Sequence, residues 1–449
     1  MSRLVSSVAQ TLSGLRDKRL TTEALIEQTI AAAEACQAGV NAFSLIARNE
    51  ARASAARSEQ MYLDNRARPL EGLPIVVKDL IDTKGIETRY GSQAYLGHLP
   101  SRDAEIVDRL VEQGAIVIGK ATTHEFAWGV TTASPAFGDT LNPRDPTRIP
   151  GGSSGGTAAA IGYGAVACGL GTDTGGSVRI PAALCGIVGM KPSQGVWPTT
   201  GIFPLAPTLD HPGLMGASVG DIVVLAEALG MAVNDVELEQ PALGIVREVP
   251  PVPLSPEVAA PFDQAVRVIE ARLGRAVRLN ADFFAGVFSH FAGIVLAEAG
   301  AIHFARNDEA TIAKYLPETR ERLDRARSVS IDDYKRSQEG RRSFSRRLSE
   351  SLSQLDFLML PTCPCVAPPL GTENISIEGW SGNIREALMT YTAPFNLSGF
   401  PAISIPMRPS PNGLPCGLQI VAKPGQDAAL LRFALKIESI LALNLADPA

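Results

Sequence analysis

Leu73-Pro74-Ile75-Val76-Val77-Lys78-Asp79 is a short apolar run rich in β-branched residues, the pattern of a strand buried on both faces, and it ends in a lysine and an acid. A helix pattern follows from Ala104 to Gln113 and a second such run at Ala115-Ile116-Val117-Ile118. Upstream, Thr22 to Cys36 sets Leu25, Ile26 and Ile30 on one helical face, and Arg48 to Tyr62 is an Ala-rich, charged helical stretch. Alternating helices and apolar strands predict an α/β protein. Further strands are expected at Leu243 to Val246, Phe357 to Leu360, Ala402 to Ile405 and Leu418 to Val421, with a last helix at Ala428 to Leu441. No Pro/Gly/Ser linker divides the 449 residues, so a single domain over 1–449 is expected. Within it, residues 306–347 hold 12 Lys or Arg against 8 Asp or Glu and read as a charged, solvated helical insertion.

The 45% apolar and 20% charged composition supplies a core. A formal charge of -6 argues against a dedicated nucleic-acid binder, and neither a signal peptide nor a membrane span is expected. Six scattered cysteines, at 36, 168, 185, 363, 365 and 416, suit a reducing cytoplasm rather than a disulfide scaffold. The one close pair, Cys363 and Cys365, has no second pair beside it, and the five histidines form no HxxxH or HxH pair, which disfavours a metal-dependent reaction.

Between Gly151 and Gly186 there are 11 glycines in 36 residues, against 41 in the whole chain, so backbone must approach something closely there. Two loops in this region can carry chemistry. Pro150-Gly151-Gly152-Ser153-Ser154-Gly155-Gly156 precedes a helix at Thr157 to Ile161, but it lacks the lysine of GxxxxGK[ST] and the spacing of GxGxxG. Gly171-Thr172-Asp173-Thr174-Gly175-Gly176-Ser177-Val178-Arg179-Ile180-Pro181 can project a serine from a tight turn whose amides form an oxyanion hole. Without a GxSxG elbow, a Ser-His-Asp triad would need a distant histidine such as His124 or His211, and a Ser-Lys arrangement using Lys78 is simpler. On its own, Lys78 reads first as a residue that snorkels or pairs with an acid such as Asp79, and only second as a base.

In these segments, and in Cys185-Gly186-Ile187-Val188-Gly189-Met190-Lys191-Pro192 and Pro394-Phe395-Asn396-Leu397-Ser398-Gly399-Phe400-Pro401, the chain resembles the amidase signature family. The resemblance implies one large domain with a mixed, mostly buried sheet flanked by helices on both faces. It also implies a Ser-Ser-Lys triad: Ser177 as nucleophile on a loop expected to face the surface, Ser153 bridging on a cis peptide after Gly152, and Lys78 as base. The amides of Thr174, Gly175, Gly176 and Ser177 would form the oxyanion hole, with Ser154, Asp173 and Arg179 in support. Arg179 has two readings, an anchor for an anionic substrate group or an ion pair with Asp173. His124, Phe126, Trp128 and Tyr391 are candidate pocket walls.

The expected activity is hydrolysis of a small-molecule carboxamide, or a related C–N bond, to a carboxylate and ammonia or an amine, with no cofactor. The partner is then an amide substrate, with no nucleic acid or membrane; a homodimer is allowed. A second reading is the glutamine-hydrolysing subunit of a tRNA-dependent amidotransferase, and a third is a catalytically silent binding relative. Against the second, Gly195-Val196-Trp197-Pro198-Thr199-Thr200-Gly201-Ile202-Phe203-Pro204 lacks the Arg/Ser/Tyr-bearing pattern of such subunits. Against the third, all three triad positions are filled.

Overall fold

In the computed structural model, which describes residues 6–233 and 240–446, thirteen strands are present among the described residues. They are β1 (Phe43–Ile46), β2 (Pro74–Lys78), β3 (Ile116–Ala121), β4 (Cys168–Thr172), β5 (Val188–Lys191), β6 (Pro212–Gly216), β7 (Leu243–Ile245), β8 (Val277–Arg278), β9 (Phe357–Pro361), β10 (Asn374–Ile377), β11 (Trp380–Asn383), β12 (Ala402–Pro406) and β13 (Gly417–Ala422). Eleven build one sheet in the order β1-β3-β2-β4-β6-β5-β12-β13-β9-β7-β8; β10 and β11 form a separate hairpin. The sheet is mixed: β2 runs parallel to both β3 and β4, whereas β4 to β9 are joined through antiparallel pairs.

The strand period of two assigns the faces. Ile75 and Val77 of β2 join Val117, Leu170 and Leu214 in one core, while Val76 joins Ile116, Ile118 and Met215 in the other. The second core is closed by the helix Gly155–Tyr163, whose Ala158, Ala159, Ala160 and Ile161 are all buried, and by the helix Thr22–Val40. Helices therefore cover both faces of a single-domain α/β sheet.

The centre of that sheet is made of glycine-bearing strands, and packing requires it. A Cβ on Gly169 would stand 2.5 Å from the Val76 carbonyl oxygen, and one on Gly213 would stand 2.7 Å from that of Met190. Neighbouring backbone fills the space a side chain would take.

Residues 306–347 fall mainly into the helices Glu309–Ile312, Pro317–Ala326 and Ile331–Ser351, the last two packed on the helix Val287–Arg306. The charged stretch is not uniformly solvated. Arg322 is buried, and Thr319 Oγ1 and the Leu316 amide donate to Glu125 at 2.5 and 2.9 Å, which seats the segment over residues 124–128. One segment, Asp282–Arg306, is long and apolar enough to cross a membrane by length and composition, with mean hydropathy 1.5, which corrects the sequence reading that found no such stretch. Two of its residues, Phe291 and Val295, instead line the cavity described below.

Candidate active site

Lys78 closes β2 and shares parity with Val76, so its side chain runs toward the face covered by the helix Gly155–Tyr163. Ser153 and Ser154 lie immediately before that helix, and Thr172 closes the parallel neighbour β4. The site thus forms at the carboxyl ends of two adjacent parallel strands, where an α/β sheet leaves a crevice. Lys78 Nζ donates to Ser153 Oγ at 2.8 Å and to Thr172 Oγ1 at 2.7 Å, and the peptide between Gly152 and Ser153 is cis. Ser154 braces the arrangement: its hydroxyl donates to the Thr172 carbonyl and accepts from the Thr172 amide, both at 3.2 Å.

Burial pushes the Lys78 amine down to about 7, because a charge without water is costly; the carboxylates of Asp173 and Asp210 oppose that only in part. Asp79 is not its partner. It accepts from the Arg89 amide at 3.0 Å, and Lys120 is the amine whose charge acts on it.

The loop 173–177 is held from beneath. Arg179, fully buried, donates to Asp173 Oδ1 and Oδ2 at 2.8 and 3.0 Å, to the Thr392 carbonyl at 3.0 Å, to Gln419 Oε1 at 2.6 Å and to Asn396 Oδ1 at 2.7 Å. Its five N–H donors are thereby used inside the protein, so of its two readings the ion pair is the one the structure shows. Burial alone would raise the Asp173 carboxyl, but the Arg179 guanidinium holds it well below the usual carboxylate range.

Asp173 Oδ1 also accepts from the Gly176 amide at 2.8 Å, which corrects one expected oxyanion donor: that N–H is committed to the loop. The amides of Thr174, Gly175 and Ser177 have no acceptor among the described residues. Ser177 is not on a surface-facing loop, being 6% exposed, and the Ser154 amide donates to its carbonyl at 3.2 Å, which ties the two serine loops together.

Ser177 opens onto a cavity of about 20 Å³ shared with Thr174, Gly175, Trp128, Leu205, Phe291, Val295, Arg385 and Met389. Of the four expected pocket walls, only Trp128 lines it. Phe126 packs against Tyr95, Phe203, His303 and Tyr315; Tyr391 is buried with its hydroxyl donating to the Val252 carbonyl at 2.9 Å. His124 is turned to Glu318, 3.2 Å from Nε2, and burial together with nearby arginines pushes it down to about 3. The His211 Nδ1 sits 2.7 Å from the Leu209 carbonyl, and burial holds that ring well below its usual value. Neither ring shares a hydrogen bond with a hydroxyl of Ser153 or Ser177 among the described residues.

Sequence reasoning missed Thr172, the second acceptor for Lys78; Asp210, which accepts from Thr174 Oγ1 at 2.6 Å; and Arg385, which lies more than 200 residues from either serine loop. Thr172 had a signal, since it stands beside Asp173 at the head of the loop. Arg385 had none. Among the described residues no three His, Cys, Asp or Glu side chains gather into a ligating cluster.

Comparison with known proteins places this geometry. A sequence profile of the amidase family matches residues 24–431. One component of the glutamyl-tRNA(Gln) amidotransferase of Chloroflexus aurantiacus is 34% identical, over 92% of each chain. The 1-carboxybiuret hydrolase subunit of Pseudomonas sp. is 32% identical, over 94% of this chain and 95% of that one. The crystal structure of an amidase superposes with a TM-score of 0.90 at 35% identity, covering 97% of this chain and all of that one. Strand order, serine loops and buried lysine thus stand within a match that spans nearly the whole sequence, and the chain belongs to the amidase signature family.

Proposed function

We propose that the chain hydrolyses a small carboxamide to a carboxylate and ammonia or an amine through an acyl-enzyme on Ser177, with Lys78 as base and Ser153 as relay. The observation that carries this is the fully buried Lys78 amine, brought to about 7 and 2.8 Å from Ser153 Oγ. A neutral amine keeps one lone pair. It takes a proton from Ser153 as Ser153 takes one from Ser177, and the Ser177 oxygen attacks the amide carbonyl. The amides of Thr174, Gly175 and Ser177, unpaired among the described residues, are the donors available to the oxyanion, and Asp173 with Arg179 fixes the loop that presents them. Charged Lys78 then returns the proton through Ser153 to the departing nitrogen; water repeats the sequence to release the acid. Six free, buried thiols suit a reducing, cytoplasmic setting.

A second reading, glutamine hydrolysis within a larger assembly, is favoured by the amidotransferase components found as relatives. Release of ammonia by the purified chain alone, from simple amides and from glutamine, separates the two. Turnover of simple amides without a partner supports free hydrolysis; glutamine turnover that appears only with partner subunits would replace it. Loss of all turnover in Ser177→Ala is expected in either case, and an active variant would overturn the assignment of the nucleophile.

A further inference from the structure

The cavity at Ser177 carries a positive charge with no ion-pair partner among the described residues. Arg385 stands in the first turn of the helix Ile384–Thr390 and faces that cavity. Its side chain is partly exposed, yet its Nε is shut off from solvent without a hydrogen-bond partner, and it forms no ion pair among the described residues. Of the neighbouring acids, Glu318 has partners on both oxygens, Arg322 and His124. Glu125 is bonded through Oε2, which accepts from the Leu316 amide and Thr319 Oγ1, whereas its Oε1 is buried without a hydrogen-bond partner among the described residues. The neighbouring charges are of the same sign: Arg325 is exposed on the helix Pro317–Ala326, and the Arg322 guanidinium lies over the Trp128 ring 5.9 Å from its centroid. Burial and then Arg325 push the Arg385 guanidinium down to about 10, and Arg322 and Arg385 both act against a charge on His124.

A guanidinium whose Nε is kept from water without a partner carries a desolvation cost that an anion would relieve, and its planar fork matches a carboxylate. The remaining cavity wall is largely apolar and contains no aspartate or glutamate. An ammonium group would find no counter-charge there, whereas an anion would. Arg385 and Ser177 line the same small cavity, so an anion held by the guanidinium is joined to the carbonyl at Ser177 by a short tether.

We propose that Arg385 binds a carboxylate on the substrate, and that the site takes monoamides of short dicarboxylic acids in preference to neutral amides or α-amino acid amides. This rests on the hydrolysis proposed at Ser177 and names its substrate class.

The test compares glutaramate with two partners of equal chain length, 5-oxohexanamide, in which a methyl ketone replaces the carboxylate, and glutamine, which adds an ammonium. Malonamate and succinamate vary the tether. The wild-type chain is expected to favour the best half-amide over the neutral amide in kcat/KM. In Arg385→Gln that preference falls by about 10- to 100-fold, mostly through KM, the loss expected for one charge-assisted contact, and Arg385→Lys keeps part of it. Calorimetric titration of the same half-amides into Ser177→Ala, with and without Arg385→Gln, reads binding without turnover; Arg385→Gln is expected to weaken it. A folded Arg385→Gln with an unchanged preference, glutamine favoured over glutaramate, or no half-amide binding in the calorimeter would each overturn the proposal. Undiminished turnover by Ser177→Ala would instead overturn the reaction on which it rests.

Discussion

Replacing Lys78 with methionine removes the amine while keeping much of the side-chain volume, and the consequence for stability changes sign with pH. The folded chain holds this amine at about 7, against an ordinary 10.5. At about 1.4 kcal/mol per unit, that difference is a preference of about 5 kcal/mol for the neutral form. Below pH 7 the folding cost is present in full. Between pH 7 and 10.5 the unfolded chain binds the proton and the folded chain does not, so stability rises with pH by up to about 1.4 kcal/mol per unit. Methionine is free of this cost but gives up the bonds to Ser153 and Thr172, each contributing about 1 kcal/mol. Lys78→Met is therefore expected to be more stable than wild type by about 2 kcal/mol at pH 7 and less stable by about 1 kcal/mol at pH 10. Urea midpoints of both proteins at the two pH values measure this, and other titrating groups cancel in the difference. A difference that stays constant between pH 7 and 10 would refute a buried, neutral lysine.

Initial rates should rise from pH 6 to 8 as Lys78 loses its proton, and Lys78→Arg should be inactive throughout because a guanidinium stays charged; a flat profile or an active variant contradicts this. Arg179→Met leaves Asp173 buried without its counter-ion and should cost about 3 to 5 kcal/mol, read as a lowered urea midpoint at neutral pH. Gly175→Ala places a Cβ against Met389 Cε and Phe291 Cζ, two cavity walls that are side-chain ends able to shift. It should fold with little loss, while kcat/KM falls by about tenfold or more, and a fully active variant would mean that the cavity is not where substrate sits.

What could be read from the sequence follows the physics of each element. Pro74–Lys78 and Ile116–Ala121 were legible because strands buried on both faces are apolar runs rich in β-branched residues. Phe357–Pro361, Ala402–Pro406 and Gly417–Ala422 were legible because they too are largely buried apolar runs, unlike the largely exposed hairpin Asn374–Ile377 and Trp380–Asn383, which carried no such signal. Cys168–Thr172, Val188–Lys191 and Pro212–Gly216 were not. Their glycines carry no apolar signal, and they are strands because neighbouring backbone occupies the room of a side chain, which only the folded sheet reveals. Lys78, Ser153 and Ser177 lie on motifs, and the structure brings Lys78 to Ser153 and draws the two serine loops together. The pocket was poorly legible, since Phe126 and Tyr391 are aromatics that fill cores as readily as they line cavities. Arg385 meets Ser177 only because the helix after the β10–β11 hairpin folds back over the loop.

The central claim is that Ser177 carries the acyl group. Rapid quench of the wild-type chain with a slowly turned-over amide or a serine-directed phosphonofluoridate, followed by peptide mass spectrometry, tests it directly. The expected result is one adduct on the peptide containing Ser177, absent from Ser177→Ala and formed far more slowly in Lys78→Arg. An adduct found only on another serine, or turnover undiminished in Ser177→Ala, would contradict the account.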